Sequence, residues 1–274
     1  MTDRYCVLGN PVAHSRSPAI HAAFARQCGE DISYQAILAP LDGFAGSVRD
    51  FVAGGGKGAS VTVPFKEEAF RLCDRLSERA ATAGAVNTLT FAAGSMLGDN
   101  TDGAGLVRDI TTNLAFPLAG RDILLLGAGG AARGVVGPLL AAAPSSLAIA
   151  NRSADKAVAL ARAFDGTVAV DAGNFADFAG RRFDLVINAT SASLAGESLP
   201  LPAGLFAPGS LAYDMMYGNG ETPFLALARA QGAARQADGL GMLVEQAAEA
   251  FLVWRGVRPD SAPVLAALRA QRAA

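Results

Sequence analysis

Cysteine and histidine are scarce in this chain. Its 274 residues hold three cysteines, Cys6, Cys28 and Cys73, odd in number and far apart, so nothing supports a disulfide framework or a thiolate metal cluster. Two histidines, His14 and His21, are too few for a histidine-rich metal site, and no metal is expected. Neither sign of charge dominates: 23 Lys and Arg face 25 Asp and Glu, a formal net charge of −2, which removes any electrostatic reason to expect nucleic acid. No apolar run reaches the ~20 residues of a membrane span, so no membrane is expected. The N-terminus enters a strand-like run, Tyr5 to Leu8, without the basic segment and apolar core of a signal peptide. Internal repeats and low-complexity linkers are absent too. The remainder, 51% hydrophobic and 18% charged, has the composition of a soluble globular protein, expected in the cytoplasm and long enough for two domains.

The most informative stretch runs from Asp122 to Gly134. Ile123 to Leu126 has the length and flanks of a buried parallel strand and stops at three glycines in four residues. Ala131 to Leu140 then reads as a helix. Gly127, Gly129 and Ala132 occupy the three small positions of the dinucleotide fingerprint, which make the tight turn, admit a pyrophosphate and let the helix pack on the strand. Phosphates would lie on the N–H groups that open that helix. Leu147 to Ala150 is a second strand, ending at Asn151-Arg152-Ser153 with Lys156 close by. An acidic residue there would accept the ribose hydroxyls of NAD, whereas Arg152 points to the 2′-phosphate of NADP. A helix from Ser153 to Phe164 and strands at Thr167 to Val170, Leu185 to Asn188 and, last, Leu211 to Met215 continue the alternation. Thr222 caps a helix through Ala230. Asn188-Ala189-Thr190 falls at a strand's C-terminal end, where open parallel sheets bind ligands.

The N-terminal part is also mixed. After the Tyr5 to Leu8 strand and a turn at Gly9-Asn10-Pro11, Ser17 reads as an N-cap and Pro18 as the first residue of a helix to about Cys28. Ser15 and Ser17 thus sit beside free N–H groups at a positive helix end, a plausible carboxylate site as well as an ordinary cap. Ile32 to Leu38 is a strand, and Leu41 to Ala53 a helix with Leu41, Phe44, Val48 and Phe51 on one face. Glycines 54 to 58 break the chain before a strand from Ala59 to Val63. Pro64 opens a helix with Glu67, Glu68 and Lys66 in its first turn; a cation is disfavoured there, a setting that suits a residue giving and taking a proton, though most such lysines are only solvated. A short helix at Ser77 to Ala83, a strand at Val86 to Phe91 and a turn at Ala93-Gly94-Ser95 follow. Asp99, Asn100, Thr101 and Asp102 then cluster before a helix from Asp102 to about Leu114, more polar groups than one cap needs. Beyond Gly239-Leu240-Gly241, Met242 to Trp254 is an amphipathic helix carrying Gln246, and Pro263 to Ala270 a last short one.

Taken together, GNPVAHSRSP from Gly9, SVTVPFKEEAF from Ser60, AGAVNTL from Ala83, GDNTDG from Gly98, LLGAGGAARG from Leu125, ANRSADK from Ala150, INATS from Ile187, YDMMYGNGETPFL from Tyr213 and ADGLGMLVEQAA from Ala237 resemble the shikimate dehydrogenase family over nearly the whole chain. The resemblance implies an NADP-dependent oxidoreductase interconverting 3-dehydroshikimate and shikimate by hydride transfer, with Lys66 as acid/base and Asp102 as its charged partner. It implies that Ser15 and Ser17 hold the substrate carboxylate with Tyr217 nearby, and that Thr62, Asn87, Asp102 and Gln246 bind the ring hydroxyls. For the cofactor it implies Gly127, Ala128, Gly129, Gly130 and Ala131 at the pyrophosphate, Asn151, Arg152, Ser153 and Lys156 at the adenosine phosphate, Met215 and Gly239 at the nicotinamide end with Glu78 approaching it, and Thr190 as a further cofactor contact. Ser153 replaces the usual threonine and Lys156 the usual arginine, which keeps the charge but loses planar stacking. The implied fold is α/β with two domains: a Rossmann-like doubly wound NADP domain at 103–238, and an α/β substrate domain at 1–102 completed by C-terminal helices at 239–274. A homodimer is a possible assembly. Two other readings are an NAD-using quinate/shikimate relative, opposed by Arg152, and a non-catalytic NADP-binding regulator, opposed by the presence of both Lys66 and Asp102.

Overall fold

The computed structural model describes residues 2–164, 170–218 and 220–273. In chain order it contains β1 (Asp3–Gly9), α1 (Ser17–Cys28), β2 (Ile32–Leu38), α2 (Phe44–Ala53), β3 (Gly56–Val61), α3 (Lys66–Leu72), β4 (Arg75–Leu76), α4 (Glu78–Ala83), β5 (Thr88–Ala92), β6 (Ser95–Asp99) and α5 (Asp102–Arg108). Then come β7 (Asp122–Leu126), α6 (Gly130–Ala141), β8 (Ser146–Ala150), α7 (Ala154–Arg162), β9 (Val170–Gly173), β10 (Phe183–Asn188), β11 (Phe206–Asp214), α8 (Pro223–Ala230), β12 (Arg235–Asp238), α9 (Leu240–Arg255) and α10 (Ala262–Ala273). Two compact units result, one of Met1–Gly105 with Leu243–Ala274, the other of Leu106–Met242.

The first unit is built on a mixed sheet in the order β2-β1-β3-β5-β6-β4. β1 pairs in parallel with β2 and β3, and β5 runs antiparallel to β3 and β6. Ala93 and Gly94, at φ 51° and 75°, make the two-residue turn between β5 and β6. Cys6, Leu8, Ala59, Val61 and Leu89 face Phe44, Val48, Phe51 and Phe65 in one apolar cluster. Across β3, Gly58 lies under the Trp254 indole, whose Nε1 donates to Leu89 O at 3.0 Å. A Cβ on Gly58 would stand 2.6 Å from that nitrogen. Gly54 and Gly55 do break the chain after α2, Gly55 with φ 85°, but Gly56 and Gly58 belong to β3, which starts at Gly56 and not at Ala59, and they admit rings. The helix expected from Leu41 starts at Phe44, because Gly43 N–H closes a turn onto Pro40 O and leaves Leu41 68% exposed. The helix expected from Pro64 starts at Lys66, since Phe65 N–H first turns back to Thr62 O.

The second unit carries a wholly parallel sheet in the order β12-β11-β10-β7-β8-β9. Counted from β7 as first, that is the doubly wound Rossmann order, with its switch between β7 and β10. Alternation along the strands covers both faces: Ile123, Leu125, Leu147, Ile149, Leu185 and Ile187 pack into one cluster, Leu124, Leu126, Ala148, Ala150 and Val186 into another. The strand expected last, Leu211 to Met215, is not last. β12 adds a parallel edge beyond it, and its Arg-Gln-Ala-Asp sequence lacks the apolar run by which strands are read. β11 also starts earlier, at Phe206, where Gly209 at φ 78° and a register shift opposite β10 break the apolar pattern. Of the strand expected at Thr167 to Val170, residues 167–169 lie outside those described, and Val170 opens β9. The expected helix from Asp102 keeps α-winding only to Arg108 and relaxes to a wider π turn over Asp109–Asn113. Nor does Leu240-Gly241 interrupt the chain: both lie in α9, and Gly241 leaves room for the Asp109 carboxylate.

His21, on α1, is fully buried, stacked on Tyr34 at 4.2 Å and flanked by Phe24, Phe251 and Trp254, with no partner for either ring nitrogen among the described residues. Burial pushes its pKa down to about 3. The imidazole stays neutral in the fold but gains a proton in the unfolded chain below pH ~6.5, so stability falls as pH drops from there towards 3. Urea unfolding of wild type should lose about 2 kcal/mol more than His21→Phe between pH 7 and pH 5. Equal losses would mean that His21 is solvated.

Candidate active site

Sheet topology brings the N-terminal motifs to one edge of the first unit. β1 and β3 run in parallel, so the segment after Gly9 and the segment after Val61 leave the sheet together; Thr62 N–H donates to Leu8 O at 2.9 Å. β5 enters antiparallel at the same edge, with Val61 N–H on Asn87 O at 2.7 Å, and β6 returns there to end at Asp99. Ser15, Thr62, Lys66, Asn87 and Asp102 all follow or precede these strand ends. Gln246 reaches the edge from α9.

Four of the expected residues are joined by hydrogen bonds. Lys66 Nζ donates to Asp102 Oδ2 at 2.5 Å, with the lysine side chain 15% and the aspartate side chain 1% exposed. Asn87 Nδ2 lies 2.9 Å from Asp102 Oδ1, 3.0 Å from Thr101 Oγ1 and 3.2 Å from Gln246 Oε1. Asn87 Oδ1 in turn accepts from Thr101 N–H at 2.8 Å and Thr88 Oγ1 at 2.9 Å, which fixes which end of the amide faces the carboxylate. Two N–H protons thus face three acceptors. The surplus acceptor capacity suits a ligand rich in hydroxyl donors, and the ammonium beside it suits a group that develops negative charge on oxygen.

The helix starts are cut differently from the sequence reading. Ser17 is the first helical residue and not the N-cap; Arg16 takes that position, while Ser15 Oγ accepts Ser17 N–H at 3.3 Å. The Ser17 hydroxyl is therefore not spent on its own helix. At α5, Asn100 Oδ1 accepts Asp102 N–H at 3.1 Å, which leaves Thr101 to bind Asn87.

In the second unit the glycine turn follows β7. Gly127 has φ 113°, and a Cβ there would meet the Ala189 carbonyl carbon at 3.2 Å, across the switch between β7 and β10. Gly129 has open space, α6 starts at Gly130 without a side-chain cap, and Ala132 is fully buried against the sheet. A turn with bare N–H groups and room above it fits a pyrophosphate. Asn151 Nδ2 ties the next turn by donating to Ser153 O at 3.0 Å, and Arg152 and Lys156 stand exposed without an ion-pair partner among the described residues. That donor set fits an added phosphate. Thr190 and Met215 meet at Asn188, and Gly239 at the residue after Met215: Thr190 N–H donates to Asn188 Oδ1 at 3.0 Å, Met215 N–H to Asn188 O at 2.9 Å, and Gly239 N–H to Met216 O at 3.1 Å. Tyr217 lies half-buried just beyond β11 in this unit, and Glu78 is exposed on α4 in the first unit.

Family models described as shikimate dehydrogenase substrate binding domain, shikimate/quinate 5-dehydrogenase and shikimate 5′-dehydrogenase C-terminal domain match residues 7–89, 109–195 and 239–269. A protein of Dechloromonas aromatica named shikimate dehydrogenase (NADP(+)) is 72% identical over 271 residues, covering 99% of this chain and 99% of its own. The chain belongs to the shikimate dehydrogenase family. Among solved structures, an Ael1 enzyme from Pseudomonas putida superposes with TM-score 0.92 at 51% identity, covering 97% of this chain and 98% of that one. A shikimate 5-dehydrogenase from Thermus thermophilus in complex with NADP(H) and shikimate superposes with TM-score 0.86 at 35% identity, covering 98% of this chain and 99% of that one.

For a shikimate dehydrogenase chain, the site has supports that no local motif announces. Asp99 receives Arg79 Nε and Nη2, each at 2.7 Å, Ser77 Oγ at 2.5 Å and Asn100 N–H at 2.7 Å, and its own carbonyl accepts Asn87 N–H. Arg79 passes on to Glu249, Glu249 to Arg258, and Arg258 to Glu245, whose other oxygen takes Ser261 Oγ. Gln246 lies on α9 between the two glutamates, 159 positions from Asn87, a separation at which sequence spacing carries no signal. Burial pushes the Asp99 carboxyl up, but the bonds from Arg79, Ser77 and Asn100 outweigh it and hold it below its usual range. That stabilisation is present above the ordinary carboxylate pKa of ~3.9 and is lost as pH falls through the lowered one. Asp99→Asn should reduce unfolding free energy by about 1–3 kcal/mol at pH 7, with the gap closing below pH ~4. A gap that is the same at pH 3 and pH 7 would show that the charge on Asp99 contributes nothing.

Proposed function

We propose that this chain is an NADP-dependent shikimate dehydrogenase of aromatic amino-acid biosynthesis, in which Lys66 is the acid/base for the reversible reduction of 3-dehydroshikimate and Asp102 is its charged partner. The 2.5 Å contact between Lys66 Nζ and Asp102 Oδ2, beside the acceptor-rich side chains around Asn87, is the observation that supports it. The first unit is the substrate-binding part and the second the cofactor-binding part. Bound NADPH supplies the hydride.

As charge grows on the carbonyl oxygen, the Lys66 ammonium stabilises it and hands over a proton; in the oxidation direction the neutral amine takes the proton from the hydroxyl. Asp102, itself held by Asn87, keeps the ammonium aimed and compensates its charge at a nearly buried position. Ser15 and Ser17 hold the substrate carboxylate with hydroxyls and N–H groups at the start of the twelve-residue α1, where the helix dipole favours an anion, and Tyr217 assists at the same end. Thr62, Asn87, Asp102 and Gln246 take the ring hydroxyls. Residues 127–131 and Thr190, Met215, Gly239 and Glu78 serve the pyrophosphate and nicotinamide ends, and Asn151, Arg152, Ser153 and Lys156 the adenosine phosphate. The reading also takes the protein to be cytoplasmic and homodimeric, which fractionation and sedimentation test; no helix among the described residues is long and apolar enough to cross a membrane.

The deciding assay follows NADPH formation at 340 nm with shikimate and each oxidised cofactor. Protein that binds NADP without shikimate-dependent reduction, or that clearly prefers NAD, would overturn the reading. Lys66→Ala should lower kcat by on the order of 10²-fold or more with a modest change in shikimate KM, and near-normal turnover would remove Lys66 from its role. Arg152→Ala should raise the NADPH KM at least about tenfold more than the NADH KM, as loss of a charged phosphate contact requires; equal rises would show that the arginine does not read the phosphate.

A further inference from the structure

The mechanism leaves one buried carboxylate unused. Asp214, the last residue of β11, is fully buried and has no cation partner among the described residues, yet it receives four donors. Ser193 Oγ and Thr222 Oγ1 donate to Oδ2, each at 2.6 Å; Asn188 Nδ2 and Met216 N–H donate to Oδ1, each at 3.0 Å. These donors come from the end of β10 and the loop after it, the loop after β11 and the N-cap of α8. Burial raises the Asp214 carboxyl above its usual range against the pull of these bonds. A group placed at such expense, where neutral residues would pack more simply, calls for a reason beyond burial.

The reason lies in what its partners carry. Asn188 passes the restraint on, since its Oδ1 accepts both Thr190 N–H at 3.0 Å and Thr190 Oγ1 at 2.7 Å, and Thr190 Oγ1 accepts Ala192 N–H at 3.3 Å. The Met216 N–H bond fixes the chain just after β11, beside which Met215 N–H meets Asn188 O and Gly239 N–H meets Met216 O. Thr190 and Met215, two residues of the expected cofactor-binding set, are thereby tied through Asn188 and Met216 to a single carboxylate.

We infer that Asp214 is a positioning residue for cofactor binding, clamping the loops after β10 and β11 so that Thr190 and Met215 present a preformed surface to the nicotinamide half of NADP. The inference rests on the reading of the second unit as the cofactor-binding part. Preorganisation of this kind acts on affinity and geometry, and not only on folding.

Fluorescence titration with NADPH, equilibrium dialysis with shikimate and thermal melting, run on the same purified variants, test it. Asp214→Ala should raise the NADPH Kd about tenfold or more while leaving the shikimate Kd within about twofold, because the lost bonds lie in the second unit. Asp214→Asn should recover most of that affinity, since its oxygen can still face Asn188 and Met216 while its amide faces hydroxyls free to rotate and accept. Ser193→Ala, a half-buried loop substitution that leaves the β11 turn intact, should raise the NADPH Kd several-fold with an unchanged melting temperature, and it decides the matter if Asp214→Ala does not fold. Unchanged NADPH affinity in a folded Asp214→Ala, or in Ser193→Ala where the former is lost, overturns the inference. So does equal weakening of NADPH and shikimate. Wild-type protein that fails to bind NADPH would instead sink the reading of the unit, which keeps the two failures apart.

Discussion

The Asp102 carboxylate, with 1% of its side chain exposed, is held by a cation and hydrogen bonds together, and the polar centre of the first unit is arranged around it. Lys66 supplies the charge, Asn87 the second oxygen's donor, and Asn100 the acceptor for the backbone N–H. Each of these is set by another layer. Val86 N–H on Lys66 O ties the start of α3 to the segment that carries Asn87 into β5, and Asn87 N–H on Asp99 O closes that segment against the end of β6. Removing one partner of such a pair leaves a buried charge alone, so the geometry we propose for proton transfer is also the geometry that the fold must keep.

The second unit solves a different problem, room for phosphate close to backbone. Gly127 at φ 113° and the bare Gly129 let the chain turn within reach of a ligand, and Ala132 lets α6 press on the sheet. The doubly wound order places this turn beside the end of β10 at the switch point, where the flanking connections leave in opposite directions. Two exposed cations after β8, Arg152 and Lys156, have no ion-pair partner among the described residues, a set that suits a 2′-phosphate better than a ribose hydroxyl.

Much of this was legible along the chain. β2 and the Thr222 cap fell where the apolar pattern and the capping residue put them, and the βαβ glycine turn was readable from spacing alone. Elements were misjudged where a tertiary contact replaced the local rule. Gly56 and Gly58 look like breakers until Phe51 and Trp254 are laid over them, and β12 reads as polar loop because an edge strand of four residues needs no apolar run. Leu41 looked like a helix face because periodicity cannot tell a turn closed onto Pro40 from a helical turn.

The sequence by itself determined the fold class, the fingerprint turn and the residue types of each motif, because strand and helix periods, glycine spacing and capping are local properties of a chain. Only the tertiary structure decided which of those polar residues meet. Lys66 and Asp102 are 36 positions apart, Asn87 and Gln246 159, and Asp214 gathers donors from both sides of its own strand. Contacts at such separations follow from strand order and register, which the burial of a whole sheet selects at once and which no short stretch encodes.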